Sequence, residues 1–256
     1  VSKSHLKKFD IDPALLGSGI YVLSAKEVEK LGLNAHELEI VKPWYKNSDI
    51  DRFYANTKPD SYLIFADKRT KSLESRPKLA AHLNRFSDII QNSSSNAPYL
   101  HRPRGINFDS PKIITPYKTP TTRFALVNEP WYASADVYYI VPKTEQLSLL
   151  AMLGILNSKL MLSWLAIRGK RKGSLLELYE EPLAALPLPI WILEEPKLLA
   201  EIERLVLEAQ KVRKQDRSAD ISSIEAAIDE AVFMLYRLEP EQVALITNWE
   251  FVEEQV

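Results

Sequence analysis

The apolar positions of this chain change period several times, and each change predicts an element. From Ser24 to Gly32 the pattern is helical. Ser24 stands where a first turn is capped, Glu27 answers it, and Gly32 ends the run, the arrangement of a capping box closed by glycine. Leu38 to Val41 reads as a strand running into Lys42-Pro43-Trp44-Tyr45, and Tyr62 to Ala66 as an apolar run of strand length. Pro77 to Ile90 puts Leu79, Leu83, Phe86 and Ile90 on one helical face, with Pro77 in the first turn, where a missing N–H is harmless. Asn92 to Pro98 is a polar loop. Three strand-like pieces rich in β-branched and aromatic residues follow, Lys112 to Thr115, Arg123 to Val127 and Asp136 to Val141, broken by prolines.

Leu147 to Ile167 is the most apolar stretch and stops at Gly169. It is long enough to span a bilayer, but Asn157, Ser158 and Lys159 sit at its centre, where charge is costly in lipid. A buried helix is therefore expected, with Asn157 and Ser158 placed to cap or bend it. Pro182 to Pro189 is proline-punctuated and reads as extended. Beyond it, Leu198, Leu199, Ile202, Leu205, Val206, Ala209 and Val212 form one helical stripe. Ile221, Ile224, Ile228, Ala231, Val232 and Leu235 form a second, and Pro240 opens a third helix. The expected fold is α+β: a mixed, proline-broken β-sheet body with packed helices over residues 1–193, then a C-terminal helical hairpin over 194–256. The stripes predict packing of the hairpin helices on each other and on the body, with a docking surface for another subunit or a catalytic domain as the alternative.

Composition narrows the chemistry. The 256 residues include no cysteine and only seven glycines. The first count excludes disulfides, thiolate metal sites and a cysteine nucleophile; the second leaves little material for phosphate-cradling loops. The net charge of −1 conceals segregation. Asp67 to Arg85 carries six Lys/Arg against two acids, and Asn157 to Leu176 five against none. Ser223 to Val256 has eight acids against Arg237 alone. A basic middle and an acidic tail ask for an anionic partner at the middle. The polar N-terminus has no signal-peptide pattern, so the expected location is cytoplasmic and the expected partners exclude a membrane.

Several chemistries lack their residues. His5, His36, His82 and His101 are scattered without metal-ligand spacing, and no serine sits in a nucleophile elbow. A metal-dependent nuclease would need an acid pair followed by acid-x-Lys; Pro59-Asp60 is followed by Asp67-Lys68 at the wrong spacing. No catalytic, cofactor or metal residue is therefore assigned. Asp12-Pro13-Ala14-Leu15-Leu16-Gly17-Ser18-Gly19 resembles the loop that holds S-adenosylmethionine in adenine methyltransferases. It has one residue too many between Ala14 and Gly17, and polar Leu6 to Asp10 replaces the buried strand such a loop follows. Asn128-Glu129-Pro130-Trp131 resembles the motif that grips a flipped adenine, with Glu where Pro belongs. Both read as turns; a degenerate methyltransferase using them is the alternative.

What remains is basic. Arg102-Pro103-Arg104-Gly105 projects two guanidinium forks from a stiffened turn, suited to guanine edges or phosphates. Arg168-Gly169-Lys170-Arg171-Lys172-Gly173, read as a loop with glycines on both sides of its lysines, packs four cations into six residues. Lys112, Lys118 and Arg123 flank strands in a Pro- and Thr-rich segment. Such an array neutralises several phosphates, with affinity that falls steeply with salt. Lys68 and Arg69 are a second, smaller group.

An ordered set of segments resembles the TaqI-like C-terminal specificity domain of type II and type IIG restriction-modification methyltransferases. They are Val41-Lys42-Pro43-Trp44-Tyr45-Lys46-Asn47-Ser48-Asp49-Ile50, Tyr62-Leu63-Ile64-Phe65 and Tyr99-Leu100-His101-Arg102-Pro103-Arg104. Pro111-Lys112-Ile113-Ile114-Thr115-Pro116, Gly154-Ile155-Leu156-Asn157-Ser158-Lys159-Leu160 and Gly169-Lys170-Arg171-Lys172-Gly173 with Glu177-Leu178-Tyr179 continue it. The last helices, around Ile228 to Tyr236 and Glu239-Pro240-Glu241, close the set. The resemblance implies a target recognition domain for double-stranded DNA. It would face a separate catalytic domain that binds S-adenosylmethionine and methylates a flipped adenine, in an enzyme that can also carry a nuclease. It implies DNA contacts at Arg102, Arg104, Lys112, Lys118, Arg123, Arg168, Lys170, Arg171, Lys172, Lys68 and Arg69, with the arginines at 102 and 104 on base edges and the lysines on phosphates.

Overall fold

A computed structural model describes residues 1–9, 11–67, 70, 72–93, 107–143 and 146–249. In chain order the first elements are α1 (Lys3–Lys8), β1 (Val22–Ser24), α2 (Ala25–Leu31), α3 (Ala35–Leu38), β2 (Val41–Tyr45), β3 (Ser61–Ile64), α4 (Pro77–Asn84) and α5 (Ser87–Ser93). A strand-rich stretch follows: β4 (Lys112–Pro116), β5 (Lys118–Thr119), β6 (Ala125–Val127), β7 (Tyr132–Ala133) and β8 (Val137–Ile140). Then come α6 (Leu149–Asn157), α7 (Lys159–Arg168), β9 (Lys170–Lys172), β10 (Leu175–Glu177), α8 (Glu180–Ala184), α9 (Pro196–Gln215), α10 (Ser222–Leu235) and α11 (Pro240–Thr247). The mixture is the expected α+β class. The chain forms two compact units, one of Val1–Tyr45, Lys58–Asp109 and Pro130–Tyr132, the other of Lys46–Thr57, Ser110–Glu129 and Ala133–Val256.

In the first unit β1 and β2 flank β3 in antiparallel register, Val22 opposite Leu63 and Trp44 opposite Ser61. The capping box forms as expected: Ser24 Oγ accepts from Glu27 N, and Gly32 closes α2 in the left-handed region. The single helix expected over Pro77–Ile90 is two, because the chain turns at Arg85 and Phe86; Leu79, Leu83, Phe86 and Ile90 still share one core with Leu23 and Ile64. Buried Glu37 holds two helix starts at once. Its carboxylate accepts from Asn34 N (3.1 Å) at α3 and from Lys78 N (2.8 Å) at α4. Burial opposes its ionisation, but these amide donors outweigh burial and hold the carboxyl below the usual glutamate value.

In the second unit β4 is the centre of a sheet, antiparallel to β6 (Ile113 opposite Leu126) and to β8 (Ile113 opposite Ile140). The boundary expected at residue 194 falls inside this unit: Ile202, Val206, Ile228 and Val232 share one apolar cluster with Ile113, Phe124 and Leu153. Close approach of α6 to α9 depends on Gly154, where a Cβ would lie 2.3 Å from Ile202 Cγ2. The apolar run expected as one helix is broken at Ser158, with its halves bent by 63°. Ser158 caps α7 by accepting from Met161 N. Asn157 turns its buried amide onto the backbone of Phe124, donating to the carbonyl (2.9 Å) and accepting from the N–H (3.0 Å) as a strand neighbour would. Among the described residues no single helix is long and apolar enough to cross a membrane.

A charged clasp ties this break to α10. Arg52 Nη2 donates to the Asn157 carbonyl (2.6 Å), and its Nε lies 2.9 Å from Glu225 Oε1, an ion-pair contact whose angle falls short of a hydrogen bond. Asp229 Oδ1 accepts from Lys159 N (2.7 Å). Burial pushes the Asp229 carboxyl up to about 6, against the pull of that amide and of Arg52. A raised folded-state value means that the folded chain holds a proton that the unfolded chain has lost between about pH 4 and 6, so this group's contribution to stability falls as pH rises through that window. Asp229→Asn keeps an oxygen for Lys159 N and removes the charge. It is expected to gain stability relative to the wild type between pH 4 and 6 in urea melts; a difference independent of pH would contradict the assignment.

Candidate nucleic-acid interface

The basic stretch after α7, read from sequence as a glycine-flanked loop, is a β-hairpin. β9 and β10 pair antiparallel with Lys172 opposite Leu175, leaving Gly173 and Ser174 as a two-residue loop. Gly173 has φ +60° and Ser174 is not in the positive region, the pattern of a hairpin turn with glycine first. β5 pairs with the other edge of β10, so the strand order is β5-β10-β9.

Alternation along these short strands sorts the side chains by face. Thr119, Leu176 and Arg171 stand opposite one another, with Thr119 and Leu176 fully buried and Leu176 in the core cluster. The neighbouring row is Lys118, Glu177 and Lys170. Its carboxylate is central: Glu177 Oε1 lies 3.4 Å from Lys118 Nζ, and Oε2 lies 3.9 Å from Lys170 Nζ. Glu177 is only 8% exposed, whereas the two lysine side chains are 36% and 61% exposed. Exposed Lys172, two residues from Lys170, adds a third cation to that face.

Tyrosines frame the row. Tyr117 lies between β4 and β5, where the strand passes from one sheet to the other; its N–H donates to Asp136 O and its carbonyl accepts from Leu178 N, both at 2.7 Å. Its hydroxyl donates to Glu177 Oε1 (3.2 Å), and Lys118 Nζ sits 5.0 Å above its ring. Burial first, then the Glu177 carboxylate, raise the Tyr117 hydroxyl above the usual tyrosine value. Lys170 Nζ lies 5.3 Å from the centre of the Tyr179 ring, and Tyr117 contacts both Tyr179 and Tyr138. The Tyr179 hydroxyl first, then the Glu177 carboxylate, hold the Lys170 ammonium above the usual lysine value. The result is a face of ammonium groups and aromatic edges, able to neutralise phosphates and to pack against flat groups.

The expected contacts divide accordingly. The structure brings Lys118, Lys170 and Lys172 together, and Arg168 is exposed in the last turn of α7. Arg171 points to the opposite face of its sheet. Lys112 is a correction: it is fully buried, and its ammonium donates to the carbonyls of Ser110 (3.0 Å) and Glu129 (3.2 Å), so it cannot reach a phosphate. Arg123 is turned inward too, donating to the Ile50 carbonyl and lying 3.7 Å from Asp51. Arg102, Arg104, Lys68 and Arg69 lie outside the described residues. Sequence reading missed Glu177 and Tyr117 as members of the face; the signal was the Gly173-Ser174 pair flanked by alternating residues. Replacing Lys112 with Met is expected to leave two buried carbonyls without their donor and to cost about 1–3 kcal/mol. Lys172→Met should leave the melting temperature unchanged; equal effects in thermal melts would contradict the division.

The two segments that resemble methyltransferase motifs are structural. Asp12 caps a 3-10 turn over Pro13–Leu15 by accepting from Ala14 N (2.8 Å), and Gly17 N and Ser18 N donate to Val1 O and Leu15 O. The segment before it is helix α1, not a strand. These amides and this carboxylate are engaged locally and do not fit S-adenosylmethionine. Trp131 is fully buried and stacked on Tyr45 at 4.8 Å, so its face is closed to a base. The first unit also carries a polar cleft of about 530 Å³. There the Arg76 guanidinium is held by Glu39 and by the His36 carbonyl, each at 3.2 Å.

Comparison with known proteins places this architecture. The structure is similar to MmeI, a type IIL restriction-modification enzyme solved in complex with DNA, with a TM-score of 0.62 at 13% identity over 90% of this chain. The chain spans 34% of the MmeI chain. BpuSI, a type IIG restriction endonuclease, gives a TM-score of 0.46 at 12% identity, over 80% of this chain and 27% of its own. A search of curated proteins gave no significant match. The family model of the TaqI-like C-terminal specificity domain matches residues 42–188, a span that holds the whole of the β5-β10-β9 sheet. The chain therefore belongs to the TaqI-like C-terminal specificity domain family.

Proposed function

We propose that this chain recognises a sequence in double-stranded DNA as the specificity part of a restriction-modification enzyme. The observation that carries the reading is the Lys118–Glu177–Lys170 face with Lys172, built on a core-anchored sheet inside the family-matched span. MmeI, which shares the fold, was solved with DNA bound. In this reading the lysines of such a face contact phosphates and set position, while base reading falls to other residues, Arg102 and Arg104 among them. Catalysis, adenine methylation with S-adenosylmethionine, belongs in this reading to a separate catalytic domain that is the chain's partner. Cutting, where it occurs, belongs outside these residues as well.

Fluorescence anisotropy of a labelled duplex, titrated with the chain at about 50 and 200 mM salt, tests the reading. Binding that weakens steeply between the two salts is expected. Absence of binding at the lower salt would overturn it.

A further inference from the structure

The acid at the centre of a phosphate-facing row needs an explanation. A sheet face that served only to attract DNA would gain from three cations and nothing from a carboxylate. Glu177 is nevertheless placed on the central strand, opposite Lys118 on one side and Lys170 on the other. It is the most buried member of the row, and the Tyr117 hydroxyl donates to the same oxygen that faces Lys118. Two consequences follow from charge and geometry. The row carries a net single positive charge instead of two. Each ammonium also lies between the carboxylate and a tyrosine ring, Tyr117 for Lys118 and Tyr179 for Lys170, and both lysine side chains stay partly exposed.

We propose that Glu177 is a positioning residue for DNA selectivity: it fixes Lys118 and Lys170 in place and trims their charge, so that phosphate attraction stays weak unless the backbone matches their spacing. The proposal rests on the DNA-recognition reading above. Attraction to phosphate is independent of sequence and dominates non-specific binding, so removing one positive charge from the face lowers that background. Holding two long side chains in advance lowers the ordering cost of correct contact.

The test compares the wild-type chain with Glu177→Gln, using a randomised duplex and the duplex sequence that the wild type enriches from that pool. Glu177→Gln is expected to bind the randomised duplex at least about threefold more tightly at low salt. Its affinity should fall about 3.5-fold further between 50 and 200 mM, the change expected for one more neutralised phosphate at a slope of about 0.9 per contact. The ratio between enriched and randomised duplexes should shrink. A merely structural glutamate would instead lower the melting temperature and weaken both duplexes alike, with no steeper salt dependence, and that result overturns the proposal. If Glu177→Gln does not fold, Glu177→Asp decides: it keeps the charge and withdraws the carboxylate by one methylene. Its salt slope should match the wild type while the ratio falls; an unchanged ratio overturns the proposal. A wild-type chain that binds in a salt-dependent way but treats the two duplexes alike overturns the proposal and leaves DNA binding standing. A wild-type chain that binds neither overturns both.

Discussion

Replacing Arg52 with alanine is expected to destabilise the second unit by about 3 kcal/mol, the lower end of what breaking a buried ion pair costs, because both partners keep some exposure. The loss has three sources that act together. Glu225 loses the guanidinium 2.9 Å away, and Asp229, already pushed up to about 6 by burial, loses a cation that favours its ionised form. The Asn157 carbonyl, at the break between α6 and α7, loses its 2.6 Å donor. Arg52→Ala together with Glu225→Gln should recover part of the stability, because the uncompensated carboxylate is then gone. Urea melts read both. A shift below about 1 kcal/mol for Arg52→Ala would mean that water already satisfies the pair, as for an exposed ion pair.

The largest effect on binding is expected from removing the lysines of the hairpin face together. In Lys118→Gln/Lys170→Gln/Lys172→Gln the slope of log affinity against log salt should become shallower by about 2.7, three phosphates at about 0.9 each. The variant should keep its fold, since its strands are held from the opposite face by Leu176 and Thr119, but lose some stability because buried Glu177 loses both ammonium partners. Lys211→Gln/Lys214→Gln, which removes exposed cations of α9, is the control and should leave the slope unchanged. A slope that changes equally for both variants would mean that net charge, and not this face, governs binding.

Much of the framework was legible in the residues because it depends on neighbours in sequence. The Ser24–Glu27–Gly32 helix, the strand through Ile64, and the stripes of α9 and α10 follow from capping chemistry and periodicity alone. Asn157 and Ser158 announced a bend through their polarity inside an apolar run, though only the fold shows that Asn157 bends away to pair with Phe124. The family resemblance was likewise carried by local segments; the family model matches those within residues 42–188, and the last helices quoted for it lie outside that span.

The site was less legible because its pairings are long-range. Lys112 looks like a surface cation at a strand end; the carbonyls that bury it come from Ser110 and Glu129, the second reachable only once β6 has folded back on β4. Glu177 belongs in sequence to a plain Leu-Leu-Glu run. Its role depends on β10 lying between β5 and β9, a neighbour relation across some sixty residues on one side. Glycines on both sides of Lys170–Lys172 made a strand look like a loop, although Gly173 alone supplies the turn.

The measurement that tests the central claim most directly is selection of bound duplexes by the purified chain from a randomised double-stranded pool at low salt, followed by sequencing. A DNA-specificity domain predicts one enriched motif, lost on competition with that motif and weakened by salt. A bound pool whose composition matches the input would contradict sequence recognition by this chain.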